Sequence, residues 1–363
     1  MDERKMGIKL FTTFICLSLC QLNAMENPKE IKKIAYYPKE ASDYYFKPIS
    51  NLAVLGNVIY AVENLSNKVT AFKIELPANN FDKPSIKYAF DVGKPGQGPG
   101  DLMHPFTISI WDDEIVVKES GFFSFFGKNG EFRSKFRIFT ENNSFVCEDN
   151  KIFWLNPIFK QNHLIEVYER DGKRINTIGI KNIKADISKF KNPFYIEKLL
   201  YEGKLLSDGN LLYYINARFG NYFIFSMDGQ IVSQGDISNK FGERGKIIKA
   251  YSNDVYIKQI RKNDGNTGFP KSIIFEDAAL YKDEIYFINS KFVIENNKVN
   301  KTIIEVIVLG LPSFNMKNEY VINKEGIYRI DSFTITDNEA STYMLGAMCD
   351  MEEGNFLELY KLK

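Results

Sequence analysis

The sequence predicts an all-β chain folded as a six-bladed β-propeller, with four antiparallel strands per blade and the ring closed by the N-terminal strand. Three observations lead there. A strand–turn–strand unit recurs six times, a second turn recurs within that unit, and the composition favours strands: 30 Phe and 20 Tyr against 2 Trp and 2 His in 363 residues.

The N-terminus reads as an export signal. Arg4 and Lys5 precede a short apolar stretch from Leu10 to Leu19, and Leu22-Asn23-Ala24 ends on a small residue where a signal peptidase cuts. Residues 1–24 are therefore expected to be a signal peptide and 25–363 a single propeller domain. A stretch of about ten apolar residues is too short to span a bilayer as a helix, and no later segment is long and apolar enough. A lipoprotein route through Leu17-Ser18-Leu19-Cys20 is disfavoured, because the residue before the modified cysteine is normally small and Leu19 is not. The expected location is the periplasm or cell envelope.

Taking Arg4, Lys5, Lys9, Asp2 and Glu3 away from totals of 47 bases and 46 acids leaves the mature chain balanced in charge. Neither a nucleic-acid footprint nor a polybasic membrane patch is present. Cys16 and Cys20 leave with the signal. Cys147 and Cys349 fall in units on opposite sides of the ring and are expected to be buried free thiols.

The first mature strand is Ile31-Lys32-Lys33-Ile34-Ala35-Tyr36-Tyr37, which alternates as a strand does. It is assigned as the outer strand of the last blade, paired with Phe356-Leu357-Glu358-Leu359-Tyr360. The recurring unit follows, as a tight polar turn before an apolar strand. It occurs as Gly56-Asn57 before Val58–Val62, Asp112-Asp113 before Ile115–Val117, Asp149-Asn150 before Ile152–Leu155, Asp208-Gly209 before Leu211–Tyr214, Lys282-Asp283 before Ile285–Ile288, and Asp337-Asn338 before Thr342–Met344. Within three units an aromatic strand then reaches Asn129-Gly130, Asp171-Gly172 or Asp228-Gly229, a hairpin signal read as a type I′ turn with positive φ at both central residues. Four strands per unit, repeated radially, make a propeller. A two-sheet sandwich also uses many short strands, but it would not repeat one turn six times. The stretch from Gly235 to Pro270 holds an extra strand-like run, Asp254-Val255-Tyr256-Ile257, that six regular blades do not require. The blade boundaries there stay open.

The segment Gly93-Lys94-Pro95-Gly96-Gln97-Gly98-Pro99-Gly100-Asp101-Leu102 resembles the Gly-Pro-Gly-Glu connector between blades of exported six-bladed propellers from gut anaerobes, with Asp101 where Glu is commoner. These include the TolB-like families and, more distantly, NHL-repeat propellers. The resemblance implies an exported propeller and transfers no catalytic residue. The connector is no phosphate loop, since it lacks the Gly-Lys-Ser/Thr ending and nothing after it reads as helix.

Labelling the strands of a blade A to D from the axis outward, the tight A–B and C–D turns share one face and the longer B–C and D–A loops share the other. Loops on a rigid scaffold are where binding residues concentrate. On that loop face the B strands end at Glu63, Glu119, Asn156, Asn216 and Asn289, with Gly346 breaking the set. These are candidate ligand contacts, or else residues that satisfy loop backbone groups. Phe122 and Phe123, placed in the B–C connection of the second blade, are candidates for stacking on a sugar or peptide, or else core. No resident cofactor is expected, although the oxygen donors of such a ring would suit Ca²⁺.

With only His104 and His163 a multi-histidine zinc site is excluded, and there is no Gly-x-Ser-x-Gly, His-Glu-x-x-His or Cys-x-x-Cys. The expected function is a non-catalytic module of the cell envelope that binds a protein, peptide or carbohydrate. The alternative is a metal-dependent propeller hydrolase, lactonase or lyase. Axis-facing carboxylates or amides on the A strands would discriminate the two, and no such set is legible.

Overall fold

Runs such as Val58-Ile59-Tyr60-Ala61-Val62 are apolar at every position, which a strand tolerates only when both of its faces are covered. A computed structural model shows why. It describes residues 28–38, 46–76, 83–138, 144–155, 162–180, 200–242, 244–245, 273–295, 298–338, 341–350 and 354–362. The predicted signal peptide, Asn156 and the run at 254–257 lie outside these.

Six antiparallel sheets are arranged in a ring. Blade 1 is Ile49–Leu55, Val58–Glu63, Lys68–Glu75 and Ser85–Val92. Blade 2 is Thr107–Trp111, Glu114–Glu119, Phe122–Gly127 and Phe132–Arg137. Blade 3 is Phe145–Glu148, Lys151–Leu155, His163–Glu169 and Arg174–Ile180, and blade 4 is Gly203–Ser207, Leu211–Asn216, Asn221–Ser226 and Ile231–Asp236. Blade 5 is Asp277–Tyr281, Glu284–Glu295, Lys298–Gly310 and Asn315–Glu325. Blade 6 takes Tyr328–Asn338, Ser341–Asp350 and Gly354–Lys361 from the C-terminus, and its D strand, Lys33–Tyr37, from the N-terminus. This is the expected closure. Lys29–Glu30 adds a fifth strand to blade 5, parallel to its D strand, where no addition was expected.

The core is divided among the six seams between blades. In blade 1, Ile59 and Ala61 pack toward blade 6 while Tyr60 and Val62 pack toward blade 2. In blade 2, Ile115 and Val117 face blade 1 and Val116 faces blade 3. Period-two alternation thus feeds two cores from one strand, and a continuous apolar run is the result.

Two local readings are corrected. The Asn-Gly and Asp-Gly turns hold positive φ only at Gly130, Gly172 and Gly229 (85°, 87° and 95°), and each is followed by a one-residue shift in register. They are type I turns closed by a glycine bulge, not type I′ turns. Strand B of blade 5 also runs on to Glu295 and that of blade 6 to Asp350, so Asn289 and Gly346 lie within strands.

The Gly-rich connector is a tight crossing. Lys94–Pro95 pairs in parallel with Asp101–Leu102, the Asp101 carboxylate accepts the Gly98 N–H at 2.8 Å, and Leu102 is buried between blades 1 and 2. A Cβ at Gly96 would stand 2.2 Å from the Asp101 carboxylate and would push it away from the Gly98 N–H, which favours glycine there. Cys147 sits in blade 3 and Cys349 in blade 6, both as free thiols; Cys147 is buried, but Cys349 is only half-buried, against expectation.

Lys118, on strand B of blade 2, is fully buried. Its ammonium donates to the Glu119 carbonyl at 2.6 Å. Burial pulls its pKa down from 10.5 to about 8, with Glu119 opposing. The unfolded chain therefore binds more protons between those two values. Stability relative to Lys118→Met should be flat below pH 8 and rise as the pH climbs from about 8 to about 10. Urea midpoints of both proteins across that range check this, and a difference independent of pH would refute it.

Candidate functional site

The four described residues of the predicted polar ring, Glu63, Glu119, Asn216 and Asn289, are each engaged within their own surroundings. Glu63 is fully buried; it accepts the Lys47 N–H at 3.1 Å and the Thr70 hydroxyl at 2.6 Å. Glu119, also fully buried, accepts the Met103 N–H at 2.6 Å and the Ser124 hydroxyl, and pairs with Lys135 at 2.9 Å. Asn216 donates to the Leu200 carbonyl and accepts from the N–H groups of Arg218 and Phe219. Asn289 donates to the Ile274 carbonyl at 2.6 Å and accepts from Arg244 at 3.0 Å. None of the four lines the axial channel.

Phe122 and Phe123 open strand C of blade 2 instead of lying in a loop. The Phe123 ring is fully buried, 4.9 Å edge-on from Phe145 of blade 3, and Phe122 lies under the Lys135 ammonium at 4.5 Å. Glu119→Ala strips the Met103 N–H and Lys135 of their acceptor and should cost about 2–4 kcal/mol. Thermal or urea unfolding checks it, and a cost under about 0.5 kcal/mol would contradict this account of the residue.

What the structure does bring together is a channel of about 650 Å³ along the axis, lined by the A strands of all six blades. Its two ends differ. Toward the tight turns the wall is apolar, with Val54, Ile110, Leu206 and Leu280. Toward the loop face it is polar, because the A strands and the residues just before them carry Ser50, Asn51, Thr107, Ser144, Glu202, Lys204, Glu276, Asp277 and Asp331.

Some of these groups tie neighbouring blades. Asn51 accepts the Thr107 hydroxyl at 2.9 Å and the Ile108 N–H at 3.0 Å. Ser144 accepts the Leu205 N–H at 2.9 Å. Asp277 joins three blades: Lys204 of blade 4 reaches it at 2.6 Å, and the Ser332 hydroxyl of blade 6 at 3.1 Å. The rest of the charge lies over blades 4 to 6. Asp331 is held by Arg329 at 2.5 Å, Glu202 by Arg218 at 2.5 Å, and Glu276 accepts the Ser290 hydroxyl at 2.8 Å. Loss of water around the carboxyl raises the pKa of both Asp331 and Glu276, against the pull of Arg329 on Asp331 and of Ser290 and then Arg244 on Glu276. Among the described residues no three His, Cys, Asp or Glu side chains converge as metal ligands would.

Sequence reasoning missed these residues because it looked at the ends of the B strands. The signal was available one strand earlier: Lys204 stands four residues before Asp208 of its turn, and Glu276-Asp277 opens the strand before Lys282-Asp283. Which A-strand residues face the axis depends on a register that the sequence pattern alone left open.

No family model matches the chain, and no curated protein does. Solved structures do. A protein of Bacteroides fragilis NCTC 9343, provisionally named as exported, superposes with a TM-score of 0.54 at 10% identity, over 92% of this chain and 94% of its own. A member of the DUF4221 family from Bacteroides vulgatus ATCC 8482 superposes with a TM-score of 0.55 at 15% identity, over 93% and 99%. A virginiamycin B lyase from Staphylococcus aureus matches at 11% identity over 92% and 99%, with a TM-score of 0.45. At such identities the likeness is one of fold, and the chain shares its propeller architecture with those two Bacteroides proteins.

Proposed function

We propose that this chain is an exported, non-catalytic binding module of the cell envelope that takes its ligand at the loop-face mouth of the axial channel. One observation carries the reading: among the described residues every charged side chain of the channel wall lies toward that end, and these groups are already held in place by neighbours. Carboxylates fixed by Lys204, Arg329, Arg218 and Ser290 are preorganised to contact a ligand without further ordering cost. The channel's size also suits a small molecule or the end of a chain.

The loop face carries exposed apolar groups as well. Leu65 of the first B–C loop, Phe292 and Ile294 of the long blade 5 hairpin, and Ile327 before blade 6 all stand open to solvent. Export is supported by the N-terminal signal pattern, and among the described residues no helix is long and apolar enough to cross a membrane.

The test is to incubate the mature protein with envelope extract, recover bound small molecules by native mass spectrometry, and measure the thermal shift they cause. Thr334→Phe, which fills the channel wall, should abolish the shift while leaving the unliganded melting temperature close to that of the parent. A shift that survives the plug would place the ligand elsewhere and sink the proposal.

A further inference from the structure

Strand B of blade 5, Glu284–Glu295, outruns its neighbour on the axial side. Its last pair with strand A is Asp277 with Ile288, whereas strand C accompanies it as far as Glu295 with Lys298. Strand A is the innermost of the blade, so the edge of B that it leaves uncovered above Ile288 faces the axis on the loop face. That edge starts at the channel mouth: Glu276, which lines the channel, donates its N–H to the Ile288 carbonyl at 2.8 Å and accepts the Ser290 hydroxyl. Main-chain groups of a strand reach the same side at every second residue. The row on this edge therefore runs Ile288, Ser290, Phe292, Ile294. The chain fills the first two places, with the Glu276 N–H on Ile288 and the Arg244 guanidinium on the Ser290 carbonyl at 2.5 Å. Among the described residues nothing fills the next two. The same two residues hold their side chains out to solvent, Phe292 at 46% and Ile294 at 65% exposure. The register shift near the tip falls on strand C, where Asn300 is the extra residue, and no proline interrupts strand B.

We propose that this edge takes an extended polypeptide segment of a partner protein as an added strand, with the end of that segment directed to the channel mouth. The inference rests on the channel reading above and narrows its ligand to a polypeptide. A row of alternating N–H and C=O groups is complemented in register by another extended backbone, a spacing that a sugar or a metal ion does not reproduce. Blade 5 already accepts one strand in this way. Lys29–Glu30 lies in parallel along its outer edge, and the Ile31 N–H reaches the Val321 carbonyl at 3.0 Å. Phe292 and Ile294, two residues apart, share one face of the sheet, where they pack against alternate side chains of the added strand.

The probe is a pool of end-capped random peptides of about eight residues, a common strand length, selected on the whole mature protein. The strongest binder is then titrated by calorimetry, with mixed oligosaccharides as the comparison. Bound peptide should slow hydrogen exchange at the Phe292 and Ile294 amides. Ile294→Pro removes one donor of the open row and should weaken binding about tenfold, whereas Ile294→Thr keeps that N–H and should cost no more than about threefold. Methylating the peptide's own amides one at a time should abolish binding at every second position only. Ile231→Thr, on the outer strand of blade 4, should leave it unchanged. Melting curves without peptide establish that each variant is folded. No peptide binder, binding that survives Ile294→Pro, or equal loss at every methylated position would overturn the proposal, as would an oligosaccharide that protects the same amides. The protein alone at the same concentration is the blank, and protection there would assign the edge to a second copy and overturn the partner reading. If the envelope-derived shift is still blocked by Thr334→Phe, only the polypeptide assignment fails. If that shift is absent as well, the channel reading fails with it.

Discussion

Glu358→Ala should lower the free energy of unfolding by about 3–5 kcal/mol, the usual cost of removing one partner from a buried ion pair. Glu358 lies on strand C of the closing blade with its side chain 1% exposed, and its carboxylate meets Lys324 of blade 5, Lys33 of the N-terminal strand and the Tyr360 hydroxyl. Lys324 is itself only 12% exposed, and burial already depresses its pKa, opposed mainly by Glu358. Without that carboxylate Lys324 keeps the burial cost and loses the compensation. The exposed pair Glu75–Lys87 is the control, and Glu75→Ala should not change stability measurably. Equal urea midpoints for the two variants would show that the clasp at the closing seam contributes nothing special.

A mature chain that begins after Tyr37 should lose its cooperative unfolding transition altogether. The deleted segment supplies strand D of blade 6, and Ile31, Ala35 and Tyr37 are buried in the seams it covers. The Tyr37 ring packs 6.0 Å from Phe46 and 5.2 Å from Phe72. Burial of Tyr37 and Ile31 alone contributes roughly 3–6 kcal/mol, against about 5–15 kcal/mol for a whole domain. The ladder to Gly354–Lys361 and the Lys33–Glu358 pair go with them. Addition of a peptide spanning residues 28–38 should restore part of the transition. A truncated chain that melts within a few degrees of the parent would mean that the ring does not depend on its N-terminal strand.

The closing strand was legible in outline. The alternation of residues 31–37 and the apolar run at 356–360 assigned the closing strands correctly, because a strand buried on one or both faces carries its partner's geometry in its own period. The six polar turns placed the blades for a similar reason: the A–B turn is short and takes positive φ at Gly56, Asp112, Asp149, Asn150, Gly209 and Lys282, which favours Gly, Asn or Asp at most of them. Glu358 was not legible as a clasp, since its partners Lys324 and Lys33 are distant in sequence and nothing in local pattern joins them. The channel residues escaped for a related reason. Asp277 draws its partners from blades 4 and 6, and only the closed ring places Lys204 and Ser332 beside it. Glu63 and Glu119 stood out as a repeat, but a repeated polar position at a strand end reports loop anchoring as readily as ligand contact, and both carboxylates are engaged by loop N–H groups and nearby hydroxyls.

The most direct test of the account is a crystal structure of the mature protein bound to the ligand recovered from envelope extract. Ligand density is expected at the loop-face mouth of the channel, within hydrogen-bonding distance of at least two of Glu202, Glu276, Asp277 and Asp331. An empty channel with the ligand on the turn face or the outer rim would contradict it.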